Sequence, residues 1–478
     1  MDYRLTLHVL GGLLVFLGTT LLSPILFTLY YGDGQLGTFA LSAAITALTG
    51  GALFYGFRGR DEVTLREGFA IVTFGWVGFA LFGSLPYLFS GCLPNPVDAI
   101  FESMSGFATA GASVFTDVEA APRSVLFWRA LTQWLGGMGI IVLGVAILPL
   151  LGVGGMQLYE AEAPGPTTDR LTPRIQDTAR LLWGVYALVT AGGVALLWLG
   201  EMDFFDAVCH TFAAVATGGF STRNASLAAF GAYSQAVLMI VMVLGGANFA
   251  LHYYALRGTL SRYWQSDEFR FYCGLLGGVT LLAFACNWPH YDSQLANLRD
   301  SAFTVTSIVT TTGFATADYE QWHVLIHGVL FAVMFAGACA GSTSGGLKLV
   351  RLVLLLKHAY LQTARLVHPR QVLVLKLDRR PVSQDIMQDV LGFTVLFLGV
   401  FLLATLLLAA AGVDLITAGS GVIACLSTVG PGLGAVGPTD NYAGLPCSAK
   451  IVLSVVMLLG RLEISTVLVL FFPTFWKK

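Results

Sequence analysis

Glycines that follow threonine, at one fixed distance from an acid, are the residues whose types and spacing could do chemistry. Asp98 precedes Ala108-Thr109-Ala110-Gly111, Asp206 precedes Ala216-Thr217-Gly218-Gly219, and Asp300 precedes Thr310-Thr311-Thr312-Gly313. Thirteen residues separate acid from final glycine each time. A looser fourth copy runs from Asp414 to Ser427-Thr428-Val429-Gly430 over sixteen residues, with Thr417 at the thirteen-residue position. What these segments offer is backbone. Glycine tolerates unusual dihedrals and has no side chain to clash, and small Thr or Ser neighbours add hydroxyls. Several such strands aimed at one axis make a ring of carbonyl oxygens able to replace the hydration shell of potassium. The predicted filter residues are Thr109, Ala110, Gly111, Thr217, Gly218, Gly219, Thr311, Thr312, Gly313, Thr428, Val429 and Gly430. Potassium at these carbonyls is the only metal expected, with no covalent cofactor. The chain has 55 glycines, and glycine also serves close helix packing. Isolated matches therefore mean little; four copies in one register carry the reading.

The elements that hold these strands must lie in a membrane. Of 478 residues, 56% are hydrophobic and 11% charged, with a mean hydropathy of +0.74; soluble domains carry roughly 25% charged residues. Uncharged stretches such as Leu5 to Tyr31 and Val390 to Val413 exceed the roughly 20 residues that cross a bilayer as a helix. Each Thr/Gly segment falls between two such stretches, near 67–90 and 124–151, 175–200 and 229–257, 270–288 and 321–358, and 387–411 and 446–472. A helix of about 13 residues rises only about 20 Å, so the inserted segment enters the membrane and returns. Non-helical backbone at that depth must be buried in protein or line a watery cavity.

The expected fold is therefore all-α and integral to the membrane, with four parallel helix–pore-loop–helix repeats around a pseudo-fourfold pore. The predicted divisions are two extra amino-terminal helices in 1–60, then repeats in 61–152, 153–260, 261–380 and 381–478. Parallel repeats fit a channel, whereas inverted ones would fit alternating access.

Most of the 26 basic residues fall in the amino end, 57–67, 152–180, 257–270, 348–390 and the carboxyl end. The positive-inside rule then places both termini in the cytoplasm. Opposite them lie Asp98, Glu102, Asp117, Glu119, Glu201, Asp203, Asp206, Asp300, Asp318, Glu320 and Asp414, read either as ordinary solvated loops or as a vestibule that concentrates cations. The seven cysteines have no metal-ligand spacing and read as packing residues, with a Cys92–Cys447 disulfide left open. The first apolar run is too long for a cleavable signal. No catalytic constellation is found, and the basic stretch 351–380 reads as topology and partner docking rather than nucleic-acid binding.

Two features read as gates. Gly337 to Gly346 places ten small residues inside the apolar span 321–358, with Gly337, Gly341, Ser342, Thr343, Ser344, Gly345 and Gly346 as gate candidates; Lys348 and Arg351 follow as couplers to a regulator. A small-residue packing face is the alternative, though ten in a row exceed what one helix face uses. Arg461, if its helix continues to Phe472, lies about 16 Å from the end. It reads as a positive barrier facing the pore, or as half of an interhelical ion pair; Glu463, two residues on, does not share its face.

The four loops, the two extra helices, Thr310 to Thr316, Gly430-Pro431-Gly432-Leu433-Gly434 and Gly460-Arg461-Leu462-Glu463 resemble the TrkH/TrkG family of bacterial potassium uptake subunits. The resemblance covers essentially the whole chain. It implies a homodimer in the bacterial inner membrane, in contact with lipid, one pore per protomer, and a cytosolic TrkA-like nucleotide-binding regulator. The chain has no nucleotide-binding motif of its own, so nucleotide control comes only through that partner. Potassium entry down its gradient is the leading expectation, with sodium- or proton-coupled symport as the alternative.

Overall fold

The computed structural model describes residues 3–57, 64–150, 175–369 and 374–476. The basic residues Arg58, Arg60, Arg170, Arg174, Arg370, Lys477 and Lys478 lie outside them, as does most of the segment 152–180. Among the described residues, six helices are long and apolar enough to cross a membrane, or up to eight if two sharply bent pairs count as one span each.

The chain opens with α1 (Tyr3–Thr20), α2 (Pro24–Tyr31) and α3 (Leu36–Gly56). The expected span 5–31 is present as one membrane-length run, Tyr3–Tyr31, with a turn at 21–23 before Pro24, whose ring has no amide proton. A methyl group on Gly18 would lie 2.9 Å from Cβ of Ala47, and one on Gly50 would lie 2.7 Å from the Val15 nitrogen. These two helices therefore pack backbone to backbone, the usual role of small residues between helices in lipid.

One pattern then recurs, a long helix, a short helix and a second long helix. The first set is α4 (Leu65–Gly83) with α5 (Leu85–Phe89), α6 (Pro96–Phe107) and α7 (Arg123–Leu150). The second is α8 (Ile175–Trp198), α9 (Phe204–Val215) and α10 (Ala232–Gly246), followed by α11 (Phe249–Leu256) and the short α12 (Ser261–Gln265). The third is α13 (Asp267–Cys286), α14 (Gln294–Val309) and α15 (Val324–Ala336), continued by α16 (Leu349–Val367) and a hairpin of β1 (Lys376–Leu377) and β2 (Arg380–Pro381). The fourth is α17 (Gln384–Ala410), α18 (Leu415–Leu426) and α19 (Cys447–Arg461), with α20 (Ser465–Leu468) beyond. On α17 the side chains of Leu402, Leu403 and Leu406 are exposed, as lipid contact requires.

Three second helices do not run straight; two of the breaks correct an expected span, and the third falls at the interruption expected within 321–358. The stretch 229–257 bends by 105° between α10 and α11. Asn248 sits at the break, and its side-chain oxygen accepts from the Ala250 amide at 2.8 Å, starting a new helix. The stretch 446–472 bends by 109° after Arg461, where Glu463 and Ile464 take positive φ angles of 54° and 44°. The stretch 321–358 is helical only to Ala336 and again from Leu349.

Candidate functional site

Each short helix is started by a capping side chain and stopped by a threonine. Asn95, Asp203, Ser293 and Asp414 accept backbone amide bonds at the four N-termini. This corrects the register of the fourth copy. Asp414 is the counterpart of the caps Asn95 and Asp203, which also stand sixteen residues before Gly111 and Gly219. Three of the helices have 12 residues, about 18 Å. α14 begins earlier and has 16.

At the other end Thr109, Thr217, Thr311 and Thr428 take φ angles of 53°, 52°, 58° and 55°. This left-handed turn, costing roughly 1–2 kcal/mol for a residue with a side chain, ends the helix. The next amide, of Ala110, Gly218, Thr312 or Val429, donates to the carbonyl five residues back at 2.7–2.8 Å. Gly111, Gly219, Gly313 and Gly430 follow with φ of 75°, 79°, 86° and 102°. Ala110 and Val429 thus hold the same backbone geometry as Thr312, because the turn uses main-chain atoms only.

The four triplets close a ring. A methyl group on Gly111 would overlap the carbonyl oxygen of Gly218, one on Gly219 that of Thr312, and one on Gly313 that of Val429. On Gly430 it would come 2.9 Å from the carbonyl oxygen of Ala110. First copy meets second, second meets third, third meets fourth, and fourth returns to first. All twelve residues expected from the Thr/Gly register converge here.

The glycine-rich loop 337–348 packs against this ring. The Gly345 amide donates to Thr311 Oγ1 at 3.0 Å, and Thr343 Oγ1 lies 3.3 Å from Thr217 Oγ1. A side chain on Gly345 would overlap Thr428. The Thr343 hydroxyl also lies 2.9 Å from the Val215 carbonyl. Gly337, Gly341 and Gly346 turn the loop with positive φ, while Ser342 and Ser344 hydrogen-bond each other at 2.8 Å. The Cys339 amide donates to Gly246 O and the Phe249 amide to Gly341 O, both at 3.0 Å. The break in the 229–257 span is thus the seat of the loop.

The charged neighbours depart from expectation. Lys348 is buried, and its ammonium donates to the Ser344 carbonyl. Arg351 is buried, pairs with Glu463 and lies over the Phe393 ring at 3.9 Å. Both side chains turn inward. Arg461 is 2% exposed; it donates to Thr343 O at 2.7 Å and Gly136 O at 2.8 Å. Its helix ends at Arg461 itself, so a depth counted along a helix to Phe472 does not apply. Among the described residues no carboxylate pairs with it, which sets aside the interhelical ion pair. It bridges loop and α7 through carbonyls.

Most acids read as solvated or vestibular are bonded within the protein. Glu102 is fully buried, bound to Arg129 at 2.5 Å and to the Val114 amide at 2.9 Å. Asp98 pairs with Lys450 at 2.7 Å, Asp300 with Arg299 at 3.0 Å, and Asp206 with Arg223 at 2.8 Å. The Asp206 hydrogen bond holds Arg223 above its ordinary value. All seven cysteines are free thiols, Cys92 and Cys447 included. Among the described residues no group of three or more His, Cys, Asp or Glu could hold a metal ion.

Sequence reasoning missed Glu268, whose Oε1 accepts from Ala340 N at 2.7 Å and Val350 N at 3.0 Å. It ties the two feet of the loop together. The available signal was a carboxylate beside Asp267 at the mouth of an apolar span.

A multi-pass helical protein with four converging Thr-X-Gly turns belongs to the class of membrane transporters, and comparison with known proteins specifies which. Residues 36–288 and 292–478 match the TrkH family, described as cation transport protein. The chain is 42% identical to the Trk system potassium uptake protein TrkH of Halomonas elongata and 40% identical to that of Escherichia coli K12, with all of both chains covered in each case. It is 34% identical to TrkG of Escherichia coli K12 over 99% of each chain. The crystal structure of the potassium transporter TrkH from Vibrio parahaemolyticus matches with a TM-score of 0.90 and 36% identity, covering 100% of both chains. The chain belongs to the TrkH family of cation transport proteins, a family of transporters rather than enzymes.

Proposed function

We propose that this protein carries potassium into the cell through a channel-like selective pore formed by the four Thr-X-Gly turns, with loop 337–348 as its gate. The repeats are those at 61–152, 153–260, 261–380 and 381–478, behind two helices in 1–60. The observation that carries this reading is the cyclic order in which each triplet's glycine abuts the next triplet's carbonyl. Only strands surrounding one axis make that closed sequence of contacts. The relatives named as potassium uptake proteins support potassium as the ion. The bacterial inner membrane with both termini cytoplasmic is the placement favoured by the basic residues. A homodimer with a TrkA-like cytosolic nucleotide-binding regulator is the assembly implied by the family resemblance. A membrane potential of 100 mV is worth about 2.3 kcal/mol per charge, enough for roughly 40-fold accumulation without a coupled ion.

Proteoliposome flux tests the reading. Potassium current that reverses at the potassium equilibrium potential, independent of sodium and proton gradients, is the expected result. A reversal potential that shifts with either gradient would instead establish coupled symport, and equal sodium and potassium flux would remove the filter.

The gate reading makes a separate prediction at Glu268. In Glu268→Ala the Ala340 and Val350 amides lose their shared acceptor. Each unsatisfied buried donor costs about 1–3 kcal/mol, so the closed loop loses stability relative to any displaced form. Basal potassium flux without a regulator rises about tenfold or more, since about 1.4 kcal/mol corresponds to tenfold in population. Stopped-flow flux per folded molecule is the measurement, and a wild-type value excludes Glu268 as a tie on the gate.

A further inference from the structure

Gly218 differs from the other ring glycines. Its φ is not among the positive ones, so backbone conformation gives no reason for glycine there. Ala110, Thr312 and Val429 fill the same place in the other triplets. The reason is a neighbour. A methyl group on Gly218 would lie 2.5 Å from Cδ of Gln133. The bare glycine leaves room for that amide.

Gln133 lies on α7 and is fully buried. Its Nε2 donates to the Gly218 carbonyl at 2.6 Å, and its Oε1 accepts from the Phe220 amide at 3.1 Å. The two bonds straddle Gly219, the ring residue between them. An amide satisfies this pair in one orientation only, because the backbone carbonyl must receive a proton and the backbone N–H must give one. The first copy's second helix thereby fixes the second copy's strand at two points.

We infer that Gln133 is a positioning residue for ion selectivity, setting where the Gly218 carbonyl stands in the ring. The inference rests on the filter reading above and deepens it. A carbonyl held at 2.6 Å by a buried amide cannot follow the ring inward around a smaller ion, and only one of its lone pairs remains for the cation. The restraint favours potassium over sodium through ring width and field strength, the two quantities that set selectivity in carbonyl filters.

The test compares Gln133→Met with wild type in proteoliposomes under biionic potassium and sodium gradients. Methionine matches the length of glutamine and makes neither bond. The expected result is a potassium-over-sodium permeability ratio reduced about tenfold, mainly through added sodium flux, which equals about 1.4 kcal/mol of lost discrimination. A folded Gln133→Met protein with the wild-type ratio overturns the inference. Gln133→Asn serves if the methionine variant does not fold. Its amide, one methylene shorter, cannot span both partners, so a wild-type ratio there is equally fatal. A purely structural role would lower yield and thermal stability while leaving the ratio intact, and that outcome also overturns the proposal. Wild type is measured first in the same vesicles. A nonselective wild type refutes the filter reading itself, whereas a selective wild type with unaltered variants refutes only the role of Gln133.

Discussion

Arg461→Ala raises basal potassium flux by about 10- to 100-fold, because hydrogen bonds to a charged group contribute about 1.5–3 kcal/mol each and about 1.4 kcal/mol is tenfold. The guanidinium holds the Thr343 carbonyl of loop 337–348 at 2.7 Å and the Gly136 carbonyl of α7 at 2.8 Å. Thr343 also touches Thr217 of the ring through its hydroxyl. Removing the arginine frees the loop at the residue that reaches the ring, and withdraws a positive charge from beneath it. The potassium-over-sodium ratio stays at the wild-type value, since neither bond involves a Thr-X-Gly triplet. Thermal stability falls modestly, as two buried carbonyls lose their donors. Arg461→Lys should fall between, because a single ammonium serves both carbonyls less well than a guanidinium fork. Vesicle flux paired with a melting measurement decides the matter. A destabilised Arg461→Ala protein with unchanged flux per folded molecule would show that the residue braces the fold and does not hold the gate.

The sequence register was informative because the short helices are rigid rulers. Each short helix ends in the same left-handed threonine, so an acid at one helical position before it stands thirteen residues from the glycine whatever the helix length, and that spacing could be seen without any knowledge of contacts. The same rigidity explains why the fourth copy looked irregular. Its acid is the cap, Asp414, while the position equivalent to Asp98 and Asp206 is held by Thr417. The interruption at 337–348 was legible because ten small residues make a poor apolar helix. The breaks at Asn248 and at Glu463–Ile464 were not, since hydropathy runs through both and the cause is distant. The loop 337–348 docks on the Gly245–Asn248 corner, and Glu463 turns toward Arg351. Glu102, Gln133 and Glu268 share that difficulty. Each is a polar side chain whose partner lies on another stretch of chain, and spacing along the sequence carries no trace of that pairing.

Gly313→Ser is expected to lower the potassium-over-sodium ratio by about tenfold or more, equivalent to about 1.4 kcal/mol or more of discrimination, while leaving the protein inserted and helical. Gly313 has φ of 86°, so any side chain there is strained. Its Cβ would overlap the Val429 carbonyl oxygen and come 2.8 Å from Cδ of Pro431. Proline has little freedom to move aside, so the relief falls on the Val429 carbonyl, which must rotate or shift outward. A displaced carbonyl removes one ligand from the ring and widens it toward a hydrated ion. Gly430→Ser provides an internal comparison. Its φ of 102° is equally unfavourable to a side chain, but the nearest atom, the Ala110 oxygen, would be 2.9 Å away. Backbone strain is then common to the two variants and carbonyl displacement is greater in one. If strain alone mattered, both would lose selectivity equally. If the carbonyl ring sets selectivity, Gly313→Ser loses more than Gly430→Ser. Biionic reversal potentials on the two folded variants measure the difference, and a wild-type ratio in Gly313→Ser would remove this glycine from the conduction path.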